Sequence, residues 1–407
     1  MKKSLTILII IIMVMLFIPS FGGCTPRDEE LKICNWEDYI APNVIEDFEA
    51  YYQEITGKPI KVTYDSQDTN EQMLNSIAIG RTDYDLICPS DYMIEKMRKE
   101  NLLLTIDKEL GNDVNDNPIP NYLDSASAFT KSRDFDPTNE YAIGYMWGTL
   151  GILYNTTLIT NPTDADSWAG LWNSNYNDKI YMKDSVRDSF AIAALYANRN
   201  ALASARATMS SEEYNIELTN IINDTTAAGI DLVKNTLITQ KSILKGYEVD
   251  YGKQDMIDGT ATMALQWSGD AVYSISMEPT LAYSIPEEGS NIFFDGWVIP
   301  KYAGNKKAAE LFMNFLCLPE IAIANMDYIG YTSTVSCDEI IDYLNENYAD
   351  YDTMDLSYFF GEGALSVHAD PNMYPSSDAI SRLAVMRDFG TADGAIIEMW
   401  NTVKASN

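Results

Sequence analysis

Histidine occurs once in the 407 residues, at His368. A single imidazole argues against His-rich metal sites and against a histidine-based catalytic triad. Cysteine is sparse as well: Cys24, Cys34, Cys88, Cys317 and Cys337 lack the dense, regular spacing of a disulfide scaffold. Cys34 and Cys88 stand in apolar runs and read as buried thiols. Positive charge is scarce, with 28 basic against 60 acidic residues and a formal net charge of −32. Such a field repels nucleic acid and anionic membrane surfaces and attracts cations. The same charge suits a plain soluble acidic surface, so composition alone leaves both readings open. No internal repeat, low-complexity tract or membrane-spanning run follows the N-terminal leader. Carboxylate-only chemistry, as in a glycosidase, survives these exclusions and is kept as the enzyme alternative.

The leader itself is informative. Lys2 and Lys3 precede an apolar run from Leu5 to Pro19, and the small residues Gly22 and Gly23 then lead to Cys24. The run is short for a membrane span and has the charged front and small-residue end of a secretion signal. Residues 1–23 are therefore expected to be a signal peptide. Phe21-Gly22-Gly23-Cys24 resembles the lipobox of bacterial lipoproteins, which implies an acylated Cys24 and a short linker over residues 24–30. The expected location is extracytoplasmic, anchored to the membrane by that lipid. An ordinary secretory signal with an incidental cysteine is the plain alternative.

Beyond the linker, short apolar runs alternate with amphipathic helices. Lys32 to Asn35 reads as a strand, and the segment opening at Pro42 puts Val44, Ile45, Phe48 and Tyr52 at helical spacing before Gly57. Ile60, Val62 and Tyr64 alternate as in a strand; Glu71 to Ile79 reads as a helix ending before Gly80. Tyr84 to Cys88 predicts a third strand and Tyr92 to Asn101 a helix. The grammar returns at Lys179 to Met182, with a helix through Phe190 and Leu195, at Thr262 to Gln266, at Asn291 to Phe294 and at Trp297 to Ile299. Ala201 to Asn235 is polar and helix-prone, and Asp338 to Asp355 is acidic and rich in tyrosine. This alternation predicts an α/β protein with mainly parallel sheets flanked by helices, and the length suits two lobes. Residues 31–150 with 292–340 are expected in one lobe, and 151–291 with 341–407 in the other. The chain should cross near Thr149 to Tyr154, Gly289 to Phe294 and Cys337 to Leu344.

Aromatic rings and carboxylates recur at one structural address. Trp36-Glu37-Asp38-Tyr39 follows the first strand, and Ser90-Asp91-Tyr92 the third. Asp184 to Asp188 follows the Lys179 run, Trp267-Ser268-Gly269-Asp270 the Thr262 run, and Phe293-Phe294-Asp295 ends its own run. Ligands of open parallel sheets bind in the crevice at the carboxyl ends of the strands. A carboxylate offers an ammonium a charge-assisted hydrogen bond, and an aromatic face attracts the same cation while covering its methylenes. Taken singly, Ser90, Asp188 and Asp270 suit helix caps or first turns better than ligand contacts, and Trp36, Trp267 and Tyr331 suit a core.

In these segments the sequence resembles the spermidine/putrescine-binding proteins of bacterial ABC transporters, which have the two-lobed type II periplasmic-binding-protein fold. The likeness is strongest in Asn35 to Tyr39, in Tyr84-Asp85-Leu86-Ile87-Cys88-Pro89-Ser90-Asp91-Tyr92 and in Lys96-Met97-Arg98-Lys99-Glu100. It continues through Gly144 to Gly148, Ser167 to Trp172, Trp267 to Asp270 and Ile329-Gly330-Tyr331. The resemblance implies that Trp36 and Tyr39 pack on a polyamine chain while Asp38, with Glu37 beside it, approaches one amine. Ser90 and Tyr92 would join them from the same lobe. Asp188, Trp267 and Asp270 would face them from the other, with Phe293, Asp295 and Tyr331 completing the walls near the hinge.

Ser185, Phe293 and Met386 depart from the spermidine pattern toward putrescine, whereas Tyr92 points to spermidine, so ligand choice stays open. The implied function is capture of putrescine and/or spermidine and delivery to a membrane permease, without catalysis, cofactor, metal or nucleic acid. A carboxylate-dependent glycosidase, or a type II binder of another small cation, is the alternative.

Overall fold

The structure is a computed structural model that describes residues 27–79, 82–249 and 251–406. The expected signal peptide, Cys24 and Gly80 lie outside the described residues.

Two long strands, Ala142–Asn155 and Ser290–Pro300, pair antiparallel through the middle of the molecule, from Ile292 opposite Thr149 to Val298 opposite Ala142. Both are buried along nearly their whole length, and Ala142–Asn155 is not among the strands expected from the sequence. The order across the sheet is Lys61–Ser66, Glu30–Asn35, Leu86–Ile87, Ser290–Pro300, Ala142–Asn155, Met263–Trp267, Ile180–Lys183 and Leu244–Glu248. On each side of the central pair the outer strands run parallel: Glu30–Asn35 with Lys61–Ser66 and Leu86–Ile87, and Ile180–Lys183 with Leu244–Glu248 and Met263–Trp267. The two halves are thus parallel α/β units joined by antiparallel strands.

Burial divides in the same way. Leu31, Ile33, Phe48, Ile87, Met146 and Trp147 belong to one apolar core, whereas Leu150, Ile152, Ile180, Phe190, Leu237 and Leu265 belong to a second. A small third cluster, including Leu153, Tyr181 and Leu281, packs on the second half. The chain changes core between Trp147 and Leu150 along one strand, and returns to the first core at Phe294 along the other.

The helices largely follow their sequence signals. Val44–Thr56 ends at Gly57, whose φ of 66° puts it in the left-handed region that closes a helix without a Cβ penalty. Asn70–Ala78 is capped by Thr69, and Val186–Arg206 by Ser185. The polar stretch after Ala201 holds the end of that helix plus Ser211–Ile222 and Ala227–Lys241. Cys34, Cys88 and Cys317 are buried free thiols, and burial pushes Cys34 and Cys317 up to about 12.

Three expectations change. The Asn291 and Trp297 runs form one strand, bent by an irregularity between Asp295 and Gly296 that shifts the register. The run Tyr84 to Cys88 keeps regular pairing only at Leu86–Ile87. Beside that pair the Asp85 N–H still donates to the Lys32 carbonyl at 2.8 Å, while its fully buried carboxylate takes Arg27 at 2.7 and 2.8 Å and the backbone N–H groups of Lys32, Gly304 and Asn305. Finally, residues after 341 do not pass directly into the second half. Leu344, Leu356, Phe359, Val367 and Tyr374 pack in the first core, and only Ala384, Met386, Ile396, Met399 and Val403 join the second. The chain returns after Tyr374 because the apolar face of Asp338–Asn347, with Ile340 and Leu344, is buried against the first core.

Candidate ligand-binding cleft

A cleft of about 1000 Å³ opens where the two cores meet, at the carboxyl ends of the parallel strands. Every residue singled out from the sequence reaches it: Trp36, Glu37, Asp38, Tyr39, Ser90, Tyr92, Asp188, Trp267, Asp270, Phe293, Asp295 and Tyr331. Tyr92 and Trp267 pack against both cores, so they mark the seam.

The best-defined element is Asp295. The irregularity at Asp295/Gly296 turns its carboxylate toward the first half, where the Tyr39 hydroxyl donates to Oδ2 at 2.8 Å and the Ser90 hydroxyl to Oδ1 at 2.7 Å. Ser90 is oriented in turn by Asn70, whose Nδ2 donates to Ser90 Oγ at 3.1 Å and whose Oδ1 accepts from the Ser90 N–H at 3.0 Å. Burial pushes the Asp295 carboxyl up to about 7, against the two hydroxyls that favour its charge; Asp91 and Asp188 add like-charge repulsion.

Asp188 and Asp270 both occupy helix first turns, as the cap reading expected, and line the cleft as well, whereas Ser90 is not a side-chain cap. Ser90 precedes helix Asp91–Lys99 but makes no side-chain cap, spending its hydroxyl on Asp295. Asp188 lies in the first turn of Val186–Arg206, where Ser185 caps by accepting the Asp188 N–H at 3.3 Å. Burial also raises the Asp188 carboxyl, opposed by the Ser185 hydroxyl and by the charges of Lys183 and Arg187. Asp270 sits in the first turn of Ser268–Met277 beside Lys253, 3.3 Å away. Glu37 and Asp38 are exposed at the rim, and Asp38 holds a φ of 52°, tolerable for an aspartate in a tight turn.

Rings gather in the same cleft. Tyr331 lies edge-on to Tyr39 with centroids 5.3 Å apart and to Phe293 at 6.5 Å. That packing needs two glycines: a Cβ at Gly269 would stand 1.9 Å from the Tyr331 ring, and one at Gly148 would stand 3.2 Å from Phe293.

Sequence reasoning missed several lining residues. Glu71 and Asn70 follow the second strand, Lys61–Ser66, and the strand-end rule would have found them. Burial raises the Glu71 carboxyl, and Asp188 and Asp393 push the same way. Lys183 and Lys253 are the basic side chains of the lining; Lys253, from the short helix Gly252–Ile257, carries no sequence signal. Asp91, by contrast, is a buried partner of Arg133 at 2.9 Å. Among the described residues, no group of three His, Cys, Asp or Glu is arranged to hold a metal ion.

Residues 43–337 match the family of bacterial extracellular solute-binding proteins. The chain belongs to that family. It is similar to the spermidine/putrescine-binding periplasmic protein of Salmonella typhimurium, 25% identical over 380 residues and covering 93% of this chain and 92% of the relative. Among solved structures, a Listeria monocytogenes protein superposes with a TM-score of 0.73 at 29% identity, covering 93% of this chain and 100% of the other. The spermidine/putrescine ABC transporter substrate-binding protein PotD from Streptococcus pneumoniae does so with a TM-score of 0.66 at 27% identity, covering 92% and 98%. The fold is that of the type II periplasmic-binding proteins, as expected, and the kinship with transport proteins does not favour the glycosidase alternative.

Proposed function

We propose that this solute-binding protein captures a linear diamine or polyamine, putrescine and/or spermidine, in the cleft between its cores and passes it to an ABC-transporter permease. The observation that carries the reading is Asp295, a buried carboxylate oriented by two neutral hydroxyls, one of them on a ring that packs edge-on against Tyr331. A neutral ligand would leave that charge desolvated without reward, whereas an ammonium supplies the missing positive partner. The rings of Trp36, Tyr39, Phe293 and Tyr331 then cover the methylenes, and Asp188, with Asp38 and Glu37 at the rim, serves the second amine. Trp267 and Tyr92 close the cleft from the seam.

Each charge-assisted hydrogen bond is worth about 1.5–3 kcal/mol and each cation–π contact about 0.5–2 kcal/mol. A few of each reach the approximately −8 kcal/mol of micromolar binding after association costs. No bond is made or broken in this function. Acylation of Cys24 would hold the protein at the membrane, near the permease, and the short linker would leave the lobes free to close on ligand.

Titration calorimetry with putrescine, spermidine, spermine and arginine tests the reading. Saturable binding of at least one linear polyamine at micromolar strength or tighter is expected, with arginine weaker. A flat trace for all four would overturn it.

A further inference from the structure

Two side chains of the cleft are themselves ammonium groups, and both already engage the groups that a ligand amine would seek. Lys183 is fully buried: its Nζ lies 2.9 Å from Glu248 Oε1, donates to the Val249 carbonyl at 2.6 Å, and stands 4.1 Å from the centre of the Trp267 ring. Lys253 reaches Asp270 Oδ1 at 3.3 Å. The aromatic–acid pair of the second half, Trp267 and Asp270, is therefore met by the protein's own amines, one over the ring and one at the carboxylate. Asp295, by contrast, is held by the neutral hydroxyls of Tyr39 and Ser90.

We propose that Lys253 is a specificity-determining residue whose tethered ammonium occupies the Asp270 subsite in place of a ligand's third amine, so that the cleft selects a two-amine ligand over a three-amine one. This rests on the polyamine reading above. A diamine needs two carboxylate subsites, which Asp295 and Asp188 supply. A triamine drawn into the same cleft brings a third charge that loses its hydration, finds Asp270 already paired and meets the Lys253 ammonium at close range. The longer ligand is thus repelled as well as unrewarded, the usual way in which a site discriminates between related cations. Ser185, which spends its hydroxyl capping the helix that carries Asp188, adds no charge for a further amine.

The test is titration calorimetry of the full mature chain with putrescine and spermidine, on the parent, on Lys253→Met and on Lys253→Arg. The parent should prefer putrescine. In Lys253→Met the ratio of the two dissociation constants should move toward spermidine by about tenfold, the worth of one charge-assisted hydrogen bond. Lys253→Arg, which keeps the charge, should keep the parent's order of preference. A parent that prefers spermidine, or a Lys253→Met variant in which both affinities change by the same factor, would overturn the role of Lys253 while leaving polyamine binding standing. A parent that binds neither ligand would overturn the functional reading itself.

Discussion

Tyr39 and Asp295, 256 residues apart in the chain, share a buried hydrogen bond of 2.8 Å between the loop that ends the first strand and the bend of a central one. Strands from two distant parts of the chain lie close enough for this because Leu86–Ile87 pairs with both Glu30–Asn35 and Ser290–Pro300. The carboxylate at that junction is the proposed anchor of the ligand.

Asp295→Asn keeps the shape and both hydroxyl neighbours while removing the charge. Putrescine binding should weaken by about 2–4 kcal/mol, the loss expected when a desolvated cation is deprived of its partner. The variant should still unfold cooperatively, since burial of the charge is itself unfavourable. Calorimetry and chemical denaturation, side by side, check both halves.

The pH dependence follows from the same group. An Asp295 carboxyl pushed up to about 7 binds more protons in the fold than in the unfolded chain between its ordinary value near 4 and 7. Its contribution to stability is therefore fully present below about pH 4 and is lost as pH rises through about 7. Ligand binding has the opposite sense, because an ammonium favours the ionised form. Putrescine affinity should rise from pH 5.5 to pH 7.5 and level off above, with proton release at the lower pH. Asp295→Asn should flatten the segment near pH 7, where Asp295 titrates.

Gly269→Ala places a Cβ 1.9 Å from the Tyr331 ring. The ring must move, at a cost of about 1–3 kcal/mol in stability, as for other overpacked sites. Displacing Tyr331 also separates it from Tyr39 and Phe293, so polyamine affinity should fall for every chain length tested. A urea melt and a ligand titration on the variant measure the two effects.

The two halves are also tied by charge outside the cleft. Arg387, in the returning tail, donates to Glu95 at 2.7 and 2.9 Å, and Lys96 and Lys99 of the same helix as Glu95 meet Asp388. Burial would raise the Glu95 carboxyl, but hydrogen bonds from Arg387, from Lys99 at 2.9 Å and from the Asp388 N–H hold it down at about 2. Arg387→Met leaves a buried carboxylate without its bidentate partner and should destabilise the protein by about 2 kcal/mol. Equilibrium unfolding at neutral pH reads that loss; the depressed Glu95 value means the parent's advantage fades only as pH falls through its acid range toward 2.

Much of the cleft was legible in the sequence because its chemistry sits where strands end. Trp36 to Tyr39, Ser90, Asp188 and Trp267 stand at the ends of apolar runs that the parallel sheets bring together, whereas Asp295 joins them from within a central antiparallel strand. The partners within the cleft were not legible. That Ser90 serves Asp295 and not a helix end depends on pairing between segments 205 residues apart. Lys253 comes from a six-residue helix with no periodic face to announce it. The path of the tail escaped for a similar reason: the amphipathic pattern of Asp338–Asn347 says that one face is buried, but both cores offer an apolar surface to cover it.

A crystal structure of the protein with bound putrescine tests the central claim most directly. The account predicts an ammonium nitrogen within about 3 Å of the Asp295 carboxylate, at charge-assisted hydrogen-bond distance, with the methylenes against Tyr39 and Tyr331 and the Lys253–Asp270 pair intact. A ligand bound away from Asp295, or one whose amine displaces Lys253 from Asp270, would contradict it.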